Sequence, residues 1–511
     1  MEFDILVRGG LLVDGSGDPP VPGDVGIQGE TIAAVGKLEN AEAGRVINAE
    51  GLAVAPGFID VHVHSELMRL GGRDQMAGIK QGVTTELMSP DGFSWAPLTP
   101  PRSREVREYL QVFYGAPPRT WEWPRVKDYL AIFPGRLPGN LVPQVPHLPI
   151  KVATMGWETR PATGNEIGKM QGLVEEWLEA GAVSLAAGLE YQPGAFSSVE
   201  ELVALCSLAA KRSGVYAPHQ RGYWSRLQQG CGETFRVGQE TGIRVHISHL
   251  AIDDTAERLI NDALAQGIDV SFDMYPYSAA CTHLMMMLPE WAQAGGHAAA
   301  LARVRNPQQR ALLRSGTEVR VTERGEIILS YVEDGEEFEG RTLHELAQAV
   351  GLMDIDYMLD LLSEHEGRAL AIYHWPASIH GEEVVRRTLT HPLYIGSSDG
   401  IFQGSYPHRR GYGAFPRIVG NYVRDGTLRL EQAVHKVTGR PAERFHIRDR
   451  GLLKPQLAAD IVIFDPETIA DGTTWSDTRG TPLGIQHVLV NGVSVCERGE
   501  PTGKLPGHLL Q

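Results

Sequence analysis

Along the first fifty residues, apolar positions come in short alternating runs that Gly, Asp and Pro interrupt at close intervals, at 4–10, 11–15, 24–27, 31–36 and 45–47. This pattern predicts a small antiparallel sheet. Near the other end, residues 460–465 and 486–492 alternate in the same way, and the second run closes on Asn491-Gly492, a strong hairpin signal. Neither end is long enough to bury a core alone. The two are therefore expected to pair into one β module, a small β-sandwich of residues 1–56 and 450–511. Between them the rhythm changes to short apolar runs near 57–64, 83–90, 141–147, 182–190, 214–220, 243–249, 269–276 and 392–399. Helical periodicity separates these runs: Leu173 and Trp177, like Val174 and Leu178, are four apart and share one face. Eight βα units predict an α/β fold, a closed (β/α)8 TIM-like barrel over residues 57–449. The longest gap falls between the seventh and eighth strands. Its charged, irregular middle, about 285–345, is expected to form a small inserted subdomain.

Composition narrows the function. With 42% hydrophobic and 22% charged residues the chain is not disordered. A balance of 47 basic against 63 acidic residues, net −16, argues against a nucleic-acid surface. No apolar run approaches the roughly 18 residues of a membrane span, and Met1-Glu2-Phe3-Asp4 carries acid where a secretory signal carries base. Cys206, Cys231, Cys281 and Cys496 form no CxxC pair, which fits a reducing compartment and a cytoplasmic location.

The chemistry concentrates in Pro56-Gly57-Phe58-Ile59-Asp60-Val61-His62-Val63-His64. Alternate residues of a strand face one side, so His62 and His64 are expected to point together into the C-terminal mouth of the barrel. Paired neutral imidazoles suit a divalent metal such as zinc. His219 and His249 each end a predicted strand, whereas His246, three residues before His249, is expected on the opposite face, packing or supporting a ligand.

PGFIDVHVH resembles the first-strand signature of the amidohydrolase superfamily, whose sandwich is likewise built from both termini. The chain is most similar to its N-acyl-D-amino-acid deacylase (D-aminoacylase) branch. The resemblance runs through Gln81-Gly82-Val83-Thr84-Thr85, Gly188-Leu189-Glu190-Tyr191, Ile247-Ser248-His249, Asp273-Met274-Tyr275-Pro276-Tyr277, Ser398-Asp399-Gly400 and Tyr412-Gly413-Ala414-Phe415-Pro416-Arg417. It implies a metal-dependent enzyme cleaving a linear amide, with one or two zinc ions held by His62, His64, His219, His249 and Asp399. Asp399 would also act as general base and then acid. The partner is a small-molecule amide, with no nucleic acid and no membrane; homo-oligomerisation stays open. A hydantoinase- or imidase-like opening of cyclic amides is the nearest alternative, and a dead barrel kept as a scaffold is the non-enzymatic one.

Two departures stand out. Where the family carries a metal-binding cysteine after the second strand, this chain reads Ser89-Pro90-Asp91-Gly92. Either Asp91 or Glu190, at the end of the fourth strand, would supply the missing anion, and Glu190 is favoured. The resemblance also places Arg410, Tyr275 and Tyr191 at the substrate, with Arg409 a rival to Arg410. A family lysine two residues after the sixth-strand histidine is Ala251 here, and a family serine after Tyr-Pro-Tyr is Cys281. Losing a cation and a hydroxyl argues against an unmodified carboxylate site. The methionines Met285, Met286 and Met287 are expected to open the insertion, in the core or against the pocket.

Overall fold

The computed structural model describes residues 2–118, 120–375 and 380–511. At the N-terminus the two expected runs 4–10 and 11–15 merge into one strand, Glu2–Leu12. Its register against Val21–Gln28 slips between Val7 and Gly10, and Gly9 takes φ +74°. The glycine pair thus makes a bulge rather than a break. Both ends of the chain join one nine-stranded sheet, spliced where Ala53–Pro56 pairs antiparallel with Ile461–Phe464. One apolar cluster, including Val7, Val25, Ile47, Ile461 and Leu489, is shared by the two halves. The Asn-Gly hairpin forms with Val490 opposite Val493, and Asn491 and Gly492 both have positive φ (+47° and +74°), as a type I′ turn requires.

Eight parallel strand positions follow: Phe58–Asp60, Val83–Leu87, Asn140–Val142 continued by Val145–Pro146, Ser184–Gly188, Val215–His219, Arg244–Ile247, Val270–Met274 and Tyr394–Gly396. The third is broken around Pro143, which has no N–H to give the ladder. A parallel bridge between Val63 and Gly400 joins the eighth position back to the first and closes the ring. The edge of the third strand away from the second is finished by the tail: Leu141 N donates to His508 O at 2.9 Å, and Leu510 N to Leu141 O at 2.8 Å.

Between the seventh and eighth strands, Ala279–His283, Glu326–Val332 and Ala369–His374 form an antiparallel sheet. Helices including His297–Val304, Arg310–Arg324 and Asp354–Glu364 lie between these strands in sequence. The charged stretch 285–345 therefore holds an edge strand, Glu326–Val332, while the central strand Ala369–His374 and the other edge strand Ala279–His283 lie outside it. Among the described residues no helix is long and apolar enough to cross a membrane.

Candidate functional site

The strands deliver their ends to one point. After Asp60 the first strand leaves its ladder but keeps its alternation, because His64 N donates to Gly400 O and Asp399 N to His62 O (2.9 and 2.8 Å). These two bonds fix His62 and His64 against Asp399. His62 Nε2 lies 3.5 Å from Asp91 Oδ1 and 3.6 Å from Asp399 Oδ1. His64 Nε2 lies 3.6 Å from Asp91 Oδ2 and 3.5 Å from Asp399 Oδ1. From the fifth and sixth strands, His219 Nδ1 and His249 Nε2 approach Asp91 Oδ1 at 3.7 and 3.8 Å.

Asp91 is central because of its backbone. Ser89 and Asp91 adopt left-handed φ (+60° and +56°), which folds the loop after the second strand inward. A Cβ on Gly188 would lie 2.7 Å from Asp91 O, so the fourth strand admits the loop only because it ends in glycine. His249 and Asp399 also have positive φ, +40° and +47°. Such strain in non-glycine residues gathers where a site is over-determined by its surroundings.

The donor set fits a metal. His62 Nε2, Asp91 Oδ1 and His219 Nδ1 are buried and make no hydrogen bond, a state that is costly for polar atoms unless something else satisfies them. Three trios, His62–His64–Asp91, His62–His249–Asp399 and Asp91–His219–His249, each have ligand atoms within 4.8 Å of one another. Two donors bonded to one zinc at about 2.1 Å and a tetrahedral angle stand about 3.4 Å apart, close to the spacings found. Burial lowers the His62 pKa and so favours the neutral imidazole that binds metal, while the carboxylates around His249 outweigh its burial and raise it. Burial opposes ionisation of Asp91 and Asp399 too. The imidazoles around Asp91, and Arg410 together with His64 around Asp399, nevertheless hold both carboxyls well below the usual range.

Glu190, favoured from the sequence as the replacement anion, belongs to none of the trios. Its Oε2 accepts from His219 Nε2 at 3.1 Å. That bond fixes the tautomer that turns Nδ1 toward Asp91. His246 is likewise turned away, bonded to Asp273 (2.9 Å) and Ser271 (2.8 Å). Several supporting residues went unnoticed in the sequence. Tyr114 OH meets His64 Nδ1 at 3.0 Å. Asp273 Oδ1 accepts from His249 N at 3.1 Å and Ser397 Oγ at 2.7 Å. Glu66, pushed up to about 7 by burial, takes the Ser89 N–H and the Tyr129 hydroxyl, and so holds the Asp91 loop. Asp273 stands in one of the resembling motifs and Glu66 two residues after His64, but their supporting roles, like that of Tyr114, depend on burial and contacts that a single sequence does not show.

His64, His219, His249, Asp91, Glu190 and Asp399 line a cavity of two adjoining lobes that share His219, His249 and Arg324, about 60 Å³ around Asp91, Asp399 and Arg410 and about 290 Å³ toward Tyr223 and Trp375. Arg410 is buried; its Nη2 meets Asp399 Oδ2 at 2.9 Å, its guanidinium stacks on Tyr275 at 4.3 Å, and Nε and Nη1 have no partner. Arg409 points elsewhere, pairing with Asp471 at 2.6 Å. Tyr191 lines the cavity, with its ring 4.8 Å from that of His219 and its hydroxyl 3.0 Å from Thr282 Oγ1. Cys281 also lines it; burial pushes its thiol up to about 12, and its carbonyl accepts from Arg410 at 3.3 Å. Ala251 is buried in the apolar core, so its position offers no cation. Met286 lines the cavity while Met285 and Met287 pack in the core.

The model of the amidohydrolase family matches residues 45–496. A D-aminoacylase of Alcaligenes xylosoxydans xylosoxydans is 34% identical over 99% of this chain and 97% of its own length. Among solved structures, an N-acyl-D-glutamate deacylase from Bordetella bronchiseptica, crystallised with zinc and a phosphonate mimic of the tetrahedral intermediate, superposes with a TM-score of 0.85. It is 30% identical, with both chains fully covered. An L-hydantoinase from Arthrobacter aurescens, at 17% identity and a TM-score of 0.57 over the full length of both chains, shares the fold.

Proposed function

The chain belongs to the amidohydrolase family, and from that premise we propose that it is a metal-dependent hydrolase that removes the acyl group from N-acyl-D-amino acids. The carrying observation is the convergence of the unpartnered atoms of His62, Asp91 and His219 at one buried point. In this reading His62, His64, Asp91, His219, His249 and Asp399 hold zinc, as one ion or two, and Asp91 takes the place of the family's thiolate. A bound zinc supplies Lewis-acid polarisation of the amide carbonyl and lowers the pKa of water. Asp399, ionised at neutral pH, accepts the proton of the attacking water on a carboxylate oxygen and returns it to the departing amine nitrogen. Arg410 offers Nε and Nη1 to the substrate carboxylate, as the planar fork of an arginine does best. Tyr275 supports that guanidinium from beneath, and Tyr191 walls the reacting centre.

The test is a hydrolysis panel on zinc-loaded and metal-stripped protein: N-acetyl-D-amino acids, their L-enantiomers, neutral amides and cyclic imides. Expected is zinc-restorable turnover, fastest on the D-series. Cyclic imides reacting faster than every N-acyl-D-amino acid, or activity indifferent to metal, would overturn the reading.

A further inference from the structure

The inserted subdomain brings to the cavity a cation, Arg324, that touches neither the metal-binding side chains nor the Arg410 grip, although its charge helps to keep Glu190 ionised. The helix Arg310–Arg324 ends at Arg324, and Gly325, at φ +68°, turns the chain at once into the strand Glu326–Val332. Arg324 lines both lobes of the cavity. Its guanidinium carbon lies 5.3 Å from the ring centre of Tyr373 and 5.6 Å from that of Trp375. Its Nε is buried without a partner, and Nη1 reaches the backbone oxygen of Arg320 at 3.3 Å. Nearby Arg226 and Arg320 share Glu290, at 2.7 and 3.6 Å. Among the described residues no carboxylate lies within 4.0 Å of Arg324. A cation in the last turn of a helix is favoured by the helix dipole. That accounts for a basic residue at this position, but not for its place on a cavity wall, between two rings, with an N–H unmet.

We propose that Arg324 is a specificity-determining residue that receives a second carboxylate of the substrate, carried on the amino-acid side chain or at the far end of a dicarboxylic acyl group. The inference rests on the hydrolase reading above. Arg410 touches Asp399, so its free donors lie beside the reacting centre and suit the α-carboxylate, two bonds from the amide nitrogen. Arg324 opens onto the outer lobe and meets a group farther along the molecule. A substrate with one carboxylate leaves it unmet, and an unmatched buried donor is the strongest source of discrimination a pocket has.

The test measures kcat and KM of the zinc-loaded enzyme for N-acetyl-D-leucine, N-acetyl-D-glutamate and N-succinyl-D-leucine, in wild type, Arg324→Gln and Arg324→Lys, with zinc content and Tm checked for each protein. Wild type is expected to prefer one dicarboxylate over N-acetyl-D-leucine by about 10- to 100-fold in kcat/KM, the range for a charge-assisted hydrogen bond. The preferred one identifies which end of the substrate carries the second charge. Arg324→Gln should erase the ratio mainly through KM, and Arg324→Lys should keep part of it. Turnover with no dicarboxylate preference, or a preference that survives Arg324→Gln, overturns the proposal alone. No turnover of any N-acyl-D-amino acid overturns the hydrolase reading and this proposal with it.

Discussion

The centre around Asp91 and the cluster around Glu201 are made of the same kinds of side chain, and both are buried in the barrel. At Glu201 every carboxylate oxygen is met: Oε1 accepts from His147 Nε2 and Ser197 Oγ, each at 2.9 Å, and Oε2 from Lys151 Nζ at 2.6 Å. At Asp91 the nearest imidazole nitrogens stop at 3.5 to 3.8 Å, and His62 Nε2, His219 Nδ1 and Asp91 Oδ1 stay unpartnered. A closed cluster spends its polarity on holding the fold; an open one keeps it for something from outside. Residue type does not separate the two, and hydrogen-bond completeness does.

Substitutions can break that contrast. Asp399→Asn is expected to lower kcat/KM by about 10²- to 10⁴-fold, the usual share of a general acid–base, with a smaller loss of stability than at Glu201, because the Asn carbonyl still accepts from the buried Arg410. A large fall in Tm would mean that the open centre is structural after all. Glu201→Ala should do the reverse, costing about 3–5 kcal/mol of stability by stranding the Lys151 ammonium, while activity per folded molecule persists; urea unfolding read beside active-site titration checks both halves. Glu190→Gln comes next, with zinc affinity or activity down about 10- to 100-fold, as expected when the partner of a metal-binding histidine is weakened. Tyr114→Phe, which removes the hydroxyl beside His64 Nδ1, should cost about tenfold or less by the same measurement. The smallest effect is on acid stability. Although burial opposes it, His147 and Lys151 hold the Glu201 carboxyl down at about 2. Its folded pKa is depressed, so the contribution is complete above the ordinary glutamate value and is lost as pH falls toward 2. An unfolding midpoint measured from pH 5 to 2 should fall less steeply in Glu201→Gln than in wild type.

How far these features can be read from sequence depends on how local their causes are. The eight strand positions are legible because buried parallel strands are runs of apolar residues, and Val215–His219 or Val270–Met274 lie inside the expected ranges. The common facing of His62 and His64 follows from alternation over three residues. The choice between Asp91 and Glu190 is not local. It turns on left-handed φ at Ser89 and Asp91 and on the missing side chain of Gly188 across the barrel. The insertion sheet is hidden for the same reason, since Ala279–His283 pairs with Ala369–His374 over a long stretch of intervening helices.

The tail beside Leu141 has a consequence for the order of assembly. Leu137 O, Leu141 N and Leu141 O are met by Gly507, His508 and Leu510. These residues leave the ribosome after all eight strands have been made. During synthesis the third strand therefore waits with an unpaired edge, an invitation to pair with a neighbouring chain, until the tail arrives to cover it. Residues 507–510 act as a latch on the barrel wall.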